Sequence, residues 1–334
     1  MTNKGRSDIF TIIASSLLFF EKRLDRMAKW SIYMLLVAVM VVWGGNVVAI
    51  KILVSAFTPI MITSLRLFVA ALTVFFVLAV TRQSQRVTAQ QLMLVFTVGL
   101  CNVVGHHYFL ASGLTKTTAS NAGIILGMAP LVTALLAALI LRERLRLAKF
   151  IGIISGFTGV IFIVTHSSTK IGTVSMGDLY IFLAVLAQAV SFIFIKKLAA
   201  SIDVKVLTAW MLLTGSAVLF VIGLAVEGDG LSRLAAGSMS AWLVFFASAI
   251  VASGLGQMIY NRAIQRLGAA EAAIFINLSP FFSLLASSFF LGEKIHLAQW
   301  FGFFFIVTGV VLASGALEER LFLSSEKKII GPGR

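Results

Sequence analysis

The sequence predicts an all-α integral membrane protein, with ten transmembrane helices arranged as two inverted five-helix repeats. Three observations predict it. Of the 334 residues, 59% are hydrophobic and only 12% are charged, whereas soluble domains run at about 25% charged. The basic residues fall overwhelmingly on one side of the expected spans. The chain also matches itself at an offset of 150 residues. A soluble chain of this length cannot hide so much apolar surface in one core. Disordered chains are poor in the residues that are abundant here. Cys101 is the single cysteine, so a disulfide scaffold is excluded as well.

Residues 1–30 form an N-terminal segment ahead of the spans. Ile9 to Phe20 is a 12-residue apolar run, too short to cross a bilayer. Glu21, Lys22 and Arg23 follow it with no small-residue cleavage site, which argues against a signal peptide. Two readings stand: an interfacial helix, or a true start at Met27.

Apolar runs between charged or turn-like breaks then place five spans near 31–50, 60–80, 90–111, 119–140 and 148–165. Each must be a helix, because backbone groups in lipid have to be satisfied within the segment. Together they make a first repeat over 31–165. The first span carries Trp43 and Asn46 on one face, with Gly44 and Gly45 permitting close approach. The second carries Arg66 about 9 Å from its outer end at 1.5 Å per residue. That arginine is either an interfacial anchor whose side chain snorkels outward or a partner for a substrate carboxylate. The third has the most unusual set, Asn102, His106 and His107. Asn102, His106 and Phe109 share a face, and His107 points about 100° away. The histidines either line a cavity, where one could relay a proton, or hydrogen-bond across helices as glue. The fourth span begins with Asn121 and is interrupted by Pro130, which frees the carbonyl of Leu126. In the fifth, Gly152, Gly156 and Gly159 suit close helix packing.

Five further spans fall near 176–195, 204–226, 240–260, 270–291 and 297–316, a second repeat over 176–316 ahead of a tail over 317–334. They offer Gln188, Ser191 and Phe192, then Ser253, Gln257 and Tyr260, then Asn277 and Pro280, which frees the carbonyl of Ile276. Residues 119–160 align with 269–310, with 13 of 42 pairs identical. The matches include Pro130/Pro280, Leu141/Leu291, Glu143/Glu293, Gly152/Gly302 and Gly159/Gly309. Unrelated apolar helices share Leu and Ala by chance, but not Pro, Glu and Gly at fixed spacing. Because five is odd, the second copy enters the membrane from the opposite side. Inverted repeats of this kind mark alternating-access carriers with a site at the repeat interface. The matched prolines are therefore hinge candidates.

Of the 27 basic residues, 21 lie in segments on the side of the N-terminus, five lie on the other side, and Arg66 lies within a span. The positive-inside rule then puts both termini in the cytoplasm. The net charge of +14 is a matter of topology. Nucleic-acid binding is excluded as its cause, since the charges are scattered over six segments. The expected partners are the lipid bilayer and a small-molecule substrate, with the chain a monomer or homodimer.

At this point the residues resemble the EamA family of the drug/metabolite transporter superfamily. The resemblance rests on Trp43-Gly44-Gly45-Asn46, on Arg66, and on the stretch from Tyr108 through Pro130, Glu143, Gly152 and Gly159 with its copy from Tyr260 through Pro280, Glu293, Gly302 and Gly309. It covers about residues 30–316. It implies a ten-helix carrier with a central cavity, helices 5 and 10 at the periphery, and a place in the bacterial inner membrane. Relatives export amino acids and related metabolites, and some import metabolites or carry sugar nucleotides. Arg142 departs from the pattern, since the family often has Gly there, as Gly292 does in the second copy.

None of the 13 acidic residues falls in the middle of a span; Asp178 and Glu271 come nearest, at helix starts. Small multidrug exporters of the superfamily rely on an intramembrane Glu, so cationic-drug exchange is hard to build here. No HExxH, paired carboxylates or Ser–His–Asp group sits at membrane depth, so no enzyme is expected. No carboxylate or cysteine pair accompanies the histidines, so neither a metal nor a cofactor is expected. A lipid-linked-sugar transporter would need more charge than Arg66 supplies. The expectation is a carrier for a small polar metabolite, an amino acid or derivative, acting in export. Uptake, exchange, multidrug or lipid-linked-sugar transport are the alternatives. The predicted substrate-binding set is Trp43, Asn46, Asn102, His106, His107, Asn121, Gln188, Gln257, Tyr260 and Asn277.

Overall fold

The computed structural model describes residues 29–50, 52–54, 56–82, 85, 87–116, 125–142, 147–165, 176–235, 237–291 and 297–313. The N-terminal segment, Asn121, Glu143, Glu293 and the C-terminal tail lie outside the described residues.

Among the described residues the chain is helical, with no strand. Its helices are α1 (Lys29–Val54), α2 (Pro59–Val80) and α3 (Ala89–Leu114), then α4 (Ala129–Leu136, continued by Ala137–Leu141), α5 (Leu147–Thr165) and α6 (Met176–Leu198). The second half continues with α7 (Val204–Val226), α8 (Met239–Leu267), α9 (Ala269–Phe290) and α10 (Leu297–Ala313). Seven of these, α1–α3 and α6–α9, contain stretches long and apolar enough to cross a membrane by length and composition. The apolar parts found in α5 and α10, Leu147–Gly159 and Trp300–Gly309, are shorter.

The boundaries follow local chemistry. Thr88 and Gln91 form a reciprocal capping box at the start of α3. Asp203 caps α7 and Ser238 caps α8. At the start of α2 Pro59 occupies the first turn and Thr58 gives no side-chain cap. Glu227, from the end of α7, substitutes: its two carboxylate oxygens accept from the amides of Ile60 and Met61, each at 2.8 Å. A carboxylate at a helix N-terminus satisfies orphan donors and complements the helix dipole. Gly268, with φ 102°, makes the sharp junction of α8 and α9. Arg142 ends α4 with φ 55° and ψ 31°, a left-handed conformation that favours glycine. The departure noted in the sequence is thus a strained cap.

Packing leaves large apolar side chains on the outside and sets a minority of polar side chains within an otherwise apolar interior. Phe76, Phe289 and Phe304 are exposed, whereas Arg66, Asn102, Ser191, Thr208 and Asn261 are buried. Lipid is as apolar as leucine, so apolar burial does not drive such helices together; close packing and interhelical hydrogen bonds do. The fullest contact is between α5 and α10. A Cβ on Gly309 would meet the Gly152 carbonyl and the Gly156 backbone, and one on Gly159 would meet Gly302. Matched glycines from the two repeats therefore bring these backbones together. The outer faces of the pair, with Phe150, Ile154, Trp300 and Phe304, are exposed. The remaining helices pack as α2 on α7, α3 on α6 and α2 on α8, with α4 against α6 and α9.

One end of the bundle is basic. There the Asp203 amide donates to Gln85 Oε1 at 2.6 Å, Gln265 donates to the Ala199 carbonyl at 2.6 Å, and Lys196 donates to the Gln265 carbonyl at 2.8 Å. At the same end Glu271, at the start of α9, pairs with Lys29 at 3.5 Å and Lys149 at 3.6 Å and accepts from the Tyr33 hydroxyl at 2.7 Å. This carboxylate ties together the starts of α1, α5 and α9.

Candidate functional site

A cavity of about 120 Å³ lies inside the bundle. From the first half, α1 lines it with Trp43, Asn46 and Ile50, and α2 with Arg66 and Leu67. The third helix adds Asn102, His106, His107 and Leu110. From the second half come Gln188 of α6, Leu212 of α7, and Ala252, Ser253 and Gln257 of α8. The first three helices of each repeat thus build the wall.

Two π-helical stretches shape it. Leu100–Gly105 interrupts α3, and Ser248–Gly256 interrupts α8. These are corresponding helices of the two repeats, and each stretch ends at a glycine followed at once by a lining residue, His106 or Gln257. An i→i+5 turn inserts an extra residue and rotates the following face. Past the stretch α3 is α-helical again, so the π-helical turn sets the phase at which His106 and His107, about 100° apart, together span the face toward the cavity. Leu110, four residues after His106 and three after His107, shares that face, while Phe109 packs on Tyr180 with ring centroids 5.9 Å apart. The sequence offers no common signal for these stretches beyond the glycine that closes each.

Interhelical hydrogen bonds hold the lining in place. Trp43 Nε1 donates to the Ala252 carbonyl at 2.9 Å, inside the π-helical stretch of α8. Gly256 makes room for it, since a Cβ there would sit 2.9 Å from that indole nitrogen. Asn102 donates to Ser191 Oγ at 2.8 Å, and Ser191 donates to the Gln188 carbonyl at 2.6 Å. His106 Nδ1 lies 3.1 Å from the Ala184 carbonyl. A carbonyl only accepts, so Nδ1 carries hydrogen, and in a neutral ring Nε2 is left as an acceptor. Gln257 donates to Asn261 at 3.1 Å, and Asn261 donates to Thr208 at 2.9 Å.

Arg66 is only 3% exposed. Its Nη1 donates to Ser253 Oγ at 3.0 Å and to Ser248 Oγ at 3.3 Å. Ser248 in turn donates to Asn46 Oδ1. The snorkelling anchor allowed by the sequence is not what forms, because the hydroxyls of α8 draw the guanidinium into the bundle.

Not every predicted residue reaches the cavity. Tyr260 is fully buried beneath it, wedged between Trp43 and Phe192 with ring centroids 5.0 and 5.1 Å away. Asn277 lies in a 3₁₀ turn of α9, buried against Gly156 of α5. It was expected to face inward; instead the missing side chain at Gly156 opens a slot between helices that its amide fills. Asn121 is outside the described residues. The helix breaks stand just before the prolines: residues 127 and 128 form a turn ahead of Pro130, and Phe275–Asn277 is the 3₁₀ turn ahead of Pro280. Sequence reasoning missed Ser253 and Ser248 as the partners of Arg66, and Ala252 as the acceptor for Trp43.

Toward the basic end the cavity has a sealed floor. Phe192, Thr208, Tyr260 and Asn261 are all fully buried there. Among the described residues no group of three metal-ligating side chains occurs.

Comparison with known proteins agrees with this architecture. A family model described as the EamA-like transporter family matches residues 30–165 and again residues 175–315. The uncharacterized transporter YyaM of Bacillus subtilis (strain 168) is 26% identical over 311 residues, covering 91% of this chain and 100% of that protein. An uncharacterized transporter of Archaeoglobus fulgidus is 28% identical over 289 residues, covering 86% of this chain and 98% of its own. A solved crystal structure superposes with a TM-score of 0.75 at 19% identity, covering 85% of this chain and 98% of the other.

Proposed function

This chain belongs to the EamA-like transporter family, and from that premise we propose that it is a carrier moving a small polar metabolite, an amino acid or derivative, by alternating access. The observation that carries the reading is the composition of the cavity wall. Corresponding helices of both repeats contribute to it, and its polar groups other than Arg66 are neutral hydrogen-bonding side chains. Such a wall replaces the water shell of a polar solute with fixed donors and acceptors, and an inverted pair of repeats supplies two interchangeable conformations around one site. Export is the direction that the family resemblance implies.

With the basic end in the cytoplasm, as the charge bias argues, the chain sits in a bacterial inner membrane with both termini inside. The Tyr260 floor then closes the cavity to the cytoplasm. The breaks ahead of Pro130 and Pro280 are the points at which α4 and α9 bend when the floor opens. His106 and His107 are the residues through which a proton gradient would couple, since no carboxylate lines the wall among the described residues.

The test is uptake and efflux of a labelled metabolite panel in proteoliposomes, with and without a pH gradient. Flux of at least one amino acid or derivative is expected, and its absence for every member overturns the substrate assignment. His106→Ala and Trp43→Ala are expected to lower flux by roughly tenfold while leaving folded yield intact, since each removes an ordered polar contact. Unchanged flux in both variants would remove the cavity from the pathway.

A further inference from the structure

A guanidinium inside a membrane bundle needs compensation, because an ion desolvated without a partner costs several kcal/mol. Arg66 receives little. Its only hydrogen-bond partners among the described residues are two neutral hydroxyls, and both engage Nη1. Nε and Nη2 make no hydrogen bond there. The ion pairs found among the described residues join Lys29 and Lys149 to Glu271 and Arg233 to Asp229, and none involves Arg66. A structural arginine at this depth would be matched with an acid. This one is instead braced by the relay from Ser248 to Asn46 and placed in the wall of a cavity.

We propose that Arg66 is the anion-binding residue of the cavity and that the solute is a small monocarboxylate, held through the free Nε–Nη2 edge. The inference rests on the cavity being the transport site. Three features select this chemistry. The planar guanidinium edge matches a carboxylate with two parallel hydrogen bonds. Among the described residues the lining carries one formal charge, so a monoanion neutralises it, whereas a phosphate monoester would leave the cavity negative. A space of about 120 Å³ suits a compact solute. Among the described residues no acid lines the wall, so an α-ammonium meets only neutral acceptors. The carboxylate therefore carries recognition, and the amine is dispensable.

The experiment compares matched solutes on the purified full chain. In proteoliposomes, a transported acid, its deamino analogue and its primary amide are used as competitors of labelled flux. In detergent, thermal stability is measured with sodium propionate against propionamide at constant ionic strength. The acid and the deamino analogue are expected to compete alike, and the amide about tenfold or more weakly, the loss expected when charge-assisted hydrogen bonds go. Propionate should stabilise the protein and propionamide should not. Arg66→Gln should abolish both differences, and Arg66→Lys, which keeps the charge without the fork, should keep only part of them. The wild-type comparison stands even if a variant fails to fold. Equal competition by acid and amide, or full discrimination retained in Arg66→Gln, overturns the proposal while leaving the carrier reading intact. Discrimination in the thermal measurement with no flux for any solute overturns the carrier reading instead.

Discussion

Thr133 and Asn277 illustrate what a polar residue can do in this bundle besides meet a solute. Both are fully buried, and the Thr133 hydroxyl and both amide atoms of Asn277 lack a hydrogen-bond partner among the described residues. An unmade hydrogen bond in a buried setting is a net loss, so Thr133→Val is expected to raise thermal stability by about 1 kcal/mol. A melting curve in detergent checks this, and a fall would mean that the hydroxyl has a partner in the folded protein. Residue type alone did not separate these positions from the cavity residues. Asn102, Asn121 and Asn277 read alike in sequence, yet Asn102 lines the cavity and Asn277 fills the slot left by Gly156. Arg66 was legible as an oddity because charge is so rare within the spans. Its direction was not, because the hydroxyls that hold it come from α8, 182 and 187 residues away in sequence.

At the scale of elements, the helices themselves were well marked by hydropathy, and the glycines of α5 and α10 were legible through their repeat. The contact those glycines make leads to a sharp prediction. Gly159→Leu or Gly309→Leu drives a side chain into the facing backbone, and overpacking of that kind costs about 1–3 kcal/mol or more. Folded yield should fall, which size-exclusion profiles would report. Gly45→Ala is the control, because nothing lies within 4 Å of a Cβ placed there. Equal behaviour of the three variants would mean that the α5–α10 contact does not hold the bundle. The π-helical stretches of α3 and α8 were not legible. They alter the hydrogen-bond register of an otherwise apolar helix, and hydropathy is blind to register. Their consequence is functional geometry, since they set the phase at which the following turn, with His106 and His107 at ring centroids 4.8 Å apart, enters the wall.

For the whole molecule, the positive-inside reading makes an expectation that can be checked on intact cells. In a Cys101→Ala background, Lys116→Cys should react with a membrane-impermeant maleimide. Lys197→Cys should react only after permeabilisation. The reverse pattern would turn the protein over, and with it the side to which the Tyr260 floor closes. The two ends differ in their fastening as well. Glu271 gathers Lys29, Lys149 and Tyr33 at the basic end, while Glu227 caps α2 at the opposite end. The acids that the spans lack are thus used where helices begin.

By itself, the sequence determined the solvent, the all-helical class and the internal repeat. These depend on composition, on runs of apolar residues and on spacing along the chain, all of which are one-dimensional. The tertiary structure alone decided which polar side chains share a cavity. That depends on how each helix is rotated about its axis, and the rotation is set by backbone contacts at glycines, by the π-helical turns and by hydrogen bonds such as Trp43 to Ala252, which joins residues 209 positions apart.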